Sequence, residues 1–223
     1  MFAGHVGAAM ALGRAERRVN VGVLIAAAML LDFVLWVFVL VGWESATIPR
    51  DFAVAHQADF EFPYSHGLMG ALVWSAIAAG AGVVAYSRLK TARWRAGALI
   101  GAAVFSHWLL DALVHRPELP LLGTSSTKVG LGLWQDMPVA LVVEGVILAA
   151  GLWLFVPNSA LSKGKSIALT VFALLILAFT VIGMTMASPP PSVTAMAATS
   201  VGMLIGVFAL VWWLGRLPKQ GLR

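Results

Sequence analysis

Six stretches of this sequence are apolar over a length that can cross a hydrocarbon core of about 30 Å as a helix, which takes roughly 20 residues. They run from Val19 to Trp43, Tyr64 to Tyr86, Ala96 to Val114, Leu131 to Val156, Ile167 to Ala187 and Val193 to Leu214, and polar, charged or Pro-rich connections separate them. With 60% apolar and 11% charged residues, a soluble fold is excluded. The prediction is an all-α integral membrane protein of six transmembrane helices. A thirteen-residue apolar piece, Met1 to Gly13, precedes the first span and covers only about 20 Å, so it is expected to be re-entrant or half-inserted. It does not read as a signal peptide, because Arg14, Arg17 and Arg18 follow the apolar run rather than precede it.

Basic residues mark the cytoplasmic side of such a chain. Twelve of the fifteen Lys and Arg fall in alternate connections: Arg14 to Arg18, Arg88 to Arg95, Lys163 with Lys165, and Arg216 to Arg223. Both termini are therefore expected in the cytoplasm of a multi-pass protein of a bacterial inner membrane. The opposite connections, Glu44 to Pro63 and His115 to Gly130, are long enough to form an external cap. The net charge of +5 follows from this topology, and nucleic acid is not expected as a partner. From Ile167 to Gly215 no residue is charged, so 158–223 reads as two scaffold helices and a cytoplasmic tail, while 1–157 carries the chemistry.

That chemistry lies in ionisable groups placed where water is absent. Asp32, Asp111, Asp136 and Glu144 sit within the spans with His5, His66 and His107, and His115 ends the third span; no Lys or Arg accompanies them. A charge at mid-membrane costs roughly 2.5–3.5 kcal/mol on insertion scales, so these carboxylates call for protons or a bound cation. Imidazoles beside carboxylates form a nitrogen and oxygen donor set suited to zinc, manganese or iron, and the chain has no Cys to offer thiolates. Counting about 1.5 Å per helical residue puts His66, His107, Asp111, Asp32, Glu144 and His5 at depths that one outer-half cavity can gather. His107 and Asp111, four residues apart, share one helix face.

The order Gly4-His5, Asp32, Tyr64-Ser65-His66 and His107-x-x-x-Asp111 resembles a bacterial inner-membrane family of metal-dependent hydrolases, the LexA-regulated type, itself distantly similar to zinc-dependent phospholipase C. The resemblance covers the first half to two-thirds of the chain. It implies His5, Asp32, His66, His107 and Asp111 as ligands of a divalent metal, zinc first. Where the family carries an Asp-x-Asp-His run after its first span, this chain has Asp32-Phe33-Val34-Leu35, which withholds ligands from a second metal.

Around that set, Glu144 and His115 are candidate catalytic residues, Glu144 as general base or as partner of a ligating His. Arg116 is a candidate for holding an anionic substrate group, and Trp108 for lining the cavity. Asp136 reads as an interfacial or helix-start residue, and His56 as an ordinary exposed histidine. The expected activity is hydrolysis of an ester or phosphoester, with a lipid or other amphiphile as substrate class. The alternative is a proton- or cation-coupled transporter using the intramembrane carboxylates. A bis-His haem on His66 and His107, and a purely structural subunit, are further readings.

Overall fold

The computed structural model describes residues 1–217; Lys219 and Arg223, counted above in the last basic connection, lie outside them. Among the described residues five helices are long and apolar enough to span a membrane: α5 (Leu68–Ala85), α6 (Ala92–Val114), α7 (Met137–Phe155), α8 (Lys163–Met186) and α9 (Val193–Leu214). The sixth span is two helices, α2 (Val21–Ala28) and α3 (Leu30–Val41), bent by 46°. A short apolar helix, α1 (Phe2–Gly13), completes an all-α, multi-pass membrane fold. The connections 44–63 and 115–130 hold the one-turn helix α4 (Phe52–Ala55) and two small antiparallel ladders, β1 (Ser45–Thr47) with β2 (Asp59–Glu61) and β3 (Leu119–Pro120) with β4 (Lys128–Val129).

Two expectations are corrected. The first span is broken at Met29, although no Pro or Gly stands there. The fourth helix begins at Met137, six residues after Leu131, because Leu133–Gln135 forms a separate 3-10 turn and Asp136 caps α7 by accepting from the Val139 N–H at 3.3 Å. Met1 is buried, with its nitrogen 3.5 Å from Asp111 Oδ1. Arg14 therefore marks the basic end of α1 while its first turn lies inside the bundle.

Lipid tails are as apolar as leucine, so helices in a bilayer associate through close packing rather than by escaping water. The core shows this at its tightest points. A Cβ on Gly7 would meet the Ile147 carbonyl oxygen at 2.5 Å, and one on Gly151 would run into the Gly7 carbonyl, so α1 and α7 touch backbone to backbone. A Cβ on Gly22 would collide with the Val211 carbonyl where α2 crosses α9. The helices α8 and α9, without charge from Ile167 onward, are walls of the same bundle rather than a separate unit: α9 packs on α2 and α3, and α8 on α1 and α7. Their outer faces expose Leu175, Ile182 and Ile205.

Asn20 joins two of these elements. Its Oδ1 accepts from the Gly22 N–H at 2.8 Å, capping α2, and its Nδ2 donates to the Trp212 carbonyl at 3.0 Å. Asn20→Ala is expected to lower stability by about 1 kcal/mol, the usual cost of a lost N-cap. Unfolding in detergent measures it, and an unchanged midpoint would show that the cap contributes nothing.

Candidate metal centre

The break at Met29 builds the site. Where α2 stops, the Ala28 carbonyl accepts from His107 Nδ1 on α6 at 2.7 Å instead of from an amide one turn further on. A side chain inserted into the helical ladder is an established cause of a kink. It also settles the imidazole: a carbonyl only accepts, so His107 Nδ1 carries the proton and Nε2 points inward. Asp32, in the first turn of α3, is delivered to the same point by the bend.

His66 precedes α5 in the turn Pro63–Gly67 and is fixed in the same way. Its Nδ1 lies 2.8 Å from Ser65 Oγ, whose own proton goes to Glu44 Oε2 at 2.7 Å. Nδ1 is again the donor and Nε2 faces the interior. The two inward nitrogens, His66 Nε2 and His107 Nε2, stand 3.1 Å apart.

The remaining donors close around them. His107 Nε2 is 3.0 Å and His66 Nε2 3.4 Å from Asp111 Oδ2, and the same nitrogens are 3.6 and 3.5 Å from Asp32 Oδ1. Metal–ligand bonds of about 2.0–2.1 Å place neighbouring donors of a tetrahedron about 3.3–3.4 Å apart. The spacings of 3.0–3.6 Å bracket that edge, and the donors form two overlapping groups that could each hold a metal ion, His66–His107–Asp111 and His5–Asp32–His107. His5, on α1, stacks on His107 with ring centroids 3.9 Å apart and brings Nε2 to 3.3 Å from Asp111 Oδ1. Both His5 nitrogens and that oxygen are buried without a hydrogen bond. Buried polar atoms left unsatisfied cost more than hydrogen bonds formed return, so each calls for a partner.

The five sequence-predicted ligands therefore come together, from α1, α3, the turn before α5, and α6. Four of their side chains are at most 3% exposed and Asp32 is 27% exposed, which makes Asp32 the open side. It borders a cavity of about 110 Å³ that His66, Asp111 and His115 also line, walled by Trp36, Phe60, Phe62 and Trp134. That is room for a few waters or one small polar group.

The outer candidates are placed differently from expectation. Trp108 is buried against Phe105 in the core; Trp36 and Trp134 line the cavity instead. Arg116 is paired with Asp59 and Glu118, so its charge ties connection 115–130 to connection 44–63. Glu144 Oε2 accepts from the Ala3 and Gly4 N–H groups at 3.0 and 3.2 Å, placing a carboxylate at the N-terminus of α1, where the helix dipole favours it. His56 is half-buried, with Nδ1 2.9 Å from the Ala187 carbonyl. The haem reading is overturned, because no porphyrin plane fits between nitrogens 3.1 Å apart.

His115 does reach the cavity. Its Nδ1 is 2.6 Å from Glu118 Oε1, its ring lies against Trp134 at 4.4 Å, and its Nε2 is 3.8 Å from Asp111 Oδ2. Burial works to raise the Glu118 carboxyl, but the hydrogen bonds and charges of His115 and Arg116 outweigh it and hold Glu118 below the ordinary carboxylate value. Sequence reasoning missed Glu118, Ser65 and Glu44. For Glu118 the i, i+3 spacing from His115 was the available signal.

No family model, curated protein or solved structure significantly matches the chain. Fold and site together define a multi-pass membrane protein with a cluster of three histidines and two aspartates, all buried except the half-buried Asp32.

Proposed function

We propose that this chain is a membrane metallohydrolase that holds one divalent cation, zinc first, between His66, His107, Asp32 and Asp111, with His5 as a further donor. The observation that carries the reading is the pair of Nε2 atoms 3.1 Å apart. Each ring has its Nδ1 proton committed outward, so two neutral rings would set lone pair against lone pair. A cation between them removes that repulsion and neutralises two buried carboxylates as well. Manganese and iron suit the same donors.

A zinc ion held by these residues would supply Lewis-acid chemistry, an acidified water with a pKa near about 7 and a polarised ester or phosphoester oxygen. Asp32 leaves one side of the centre open, and the aromatic walls keep bulk water away. His115 Nε2, aimed into the cavity, is placed to take a proton, while Glu118 holds Nδ1–H and steadies the ring. Glu144 has its Oε2 committed to α1, so in this reading it positions His5 rather than moving a proton. The depth of the site favours an amphiphile such as a lipid, and the motif resemblance given above points to the same chemistry. With the basic connections on the cytoplasmic side of a bacterial inner membrane, the cavity faces outward.

A transporter needs a polar route through the bundle. Towards the basic end, however, Met10, Leu24, Ile25 and Val104 are fully buried apolar side chains of the core. The hydrolase is accordingly the better reading.

The test is metal analysis of purified protein together with hydrolysis of chromogenic esters and phosphodiesters and of phospholipid vesicles. His115→Gln and Glu118→Gln are expected to keep the metal while turnover falls about 10²–10⁴-fold for the former, the range for a lost general base. Turnover unchanged in His115→Gln would remove His115 from the mechanism, and wild-type protein free of metal would remove the hydrolase.

A further inference from the structure

Glu44 follows α3 in the external connection, where a carboxylate normally sits in water, yet it is only 5% exposed. Its Oε1 accepts from the Tyr64 and Ser65 N–H groups, each at 2.8 Å, and its Oε2 accepts from Ser65 Oγ–H at 2.7 Å. Ser65 is itself fully buried. A hydroxyl has one proton, and with that proton on Glu44 the Ser65 oxygen can only accept from His66 Nδ1, 2.8 Å away.

We propose that Glu44, acting through Ser65, is a positioning residue that sets the tautomer of His66 and keeps its Nε2 lone pair turned towards the centre. The purpose of this device rests on the metal reading above; its operation does not. An ionised carboxylate accepts and never donates, so the chain of hydrogen bonds runs one way, from His66 through Ser65 to Glu44. An amide in the same place would reverse it. The two backbone N–H groups cannot turn round, so they would hold the amide oxygen at the Oε1 position and leave the NH₂ beside Ser65. Ser65 Oγ would then accept from that NH₂ and donate to His66 Nδ1. The ring proton would move to Nε2, where it faces His107 Nε2 and covers the lone pair that a cation requires. Hydrogen-bond partners of metal-binding histidines act in this manner, by fixing which nitrogen is free.

The experiment uses the full chain in detergent micelles, labelled with ¹⁵N-histidine. The ring nitrogen shifts are read in metal-free protein, followed by a zinc titration. In the wild type, His66 is expected as the Nδ1–H tautomer. In Glu44→Gln it is expected as the Nε2–H tautomer, with zinc affinity reduced about 10–100-fold, the usual effect of losing such a partner. In Ser65→Ala the ring loses its acceptor, so the tautomers mix and affinity again falls. A merely structural role for Glu44 would not exchange the tautomer. His66 remaining Nδ1–H in Glu44→Gln overturns the proposal; should that variant lose its helical circular dichroism, an unmixed Nδ1–H signal in Ser65→Ala overturns it instead. Wild-type protein that binds no zinc refutes the metal reading, and the tautomer arm still decides the role of Glu44.

Discussion

His107→Ala is expected to empty the centre, with bound zinc in purified protein falling from about one ion per chain to less than about a tenth of that, since removing a ligand from a four-donor site removes most of its affinity. Two losses coincide in this one substitution. The nitrogen opposite His66 disappears, and so does the donor that occupies the Ala28 carbonyl at the helix break. Asp32 then loses both its nitrogen neighbour on α6 and the bend that delivers it. His56→Ala is the matching control, because His56 bonds the Ala187 carbonyl outside the centre. Zinc retained in His107→Ala would mean that His66 and the aspartates hold the ion without α6, against the geometry described.

Gly151→Leu is expected to displace α1 without unfolding the remaining helices. Any Cβ at Gly151 runs into the Gly7 backbone, so a leucine there has no rotamer that avoids α1. Overpacking of this kind costs about 1–3 kcal/mol. The functional effect is larger than that cost suggests, because α1 carries His5 and is held at its N-terminus by Glu144. Zinc affinity is expected to drop at least about tenfold, the scale of one weakened ligand or its support. Gly145→Leu on the same helix provides the comparison: nothing lies within 4 Å of its added Cβ, so metal binding and stability should stay as in the wild type. Equal behaviour of the two variants would show that α1 is not part of the centre.

The parts legible in the sequence are those governed by depth and periodicity. Apolar runs between basic and acidic connections locate the helices, and the i, i+4 spacing of His107 and Asp111 puts both on one face, where they stand 3.0 Å apart. Convergence of His5, Asp32 and His66 on that face follows from their similar depths. The break at Met29 was not legible, since its cause is the side chain of His107, 79 positions from the Ala28 carbonyl it bonds, rather than a local Pro or Gly. The roles of Glu44 and Ser65 were hidden for a related reason, because a carboxylate in an external connection looks solvated until the chain folds back over it. Trp108 was misplaced by adjacency: neighbours on a helix point about 100° apart, so the residue beside His107 faces the core rather than the cavity. Arg116 looked free because its partner Asp59 lies in a different connection.

Zinc-edge X-ray absorption of the purified, zinc-loaded protein tests the central claim most directly. A single cation clasped by facing imidazoles predicts a shell of nitrogen and oxygen at about 2.0–2.1 Å, together with the outer scattering of at least two coordinated rings. Absorption from an ion surrounded by water alone, without imidazole scattering, would contradict it.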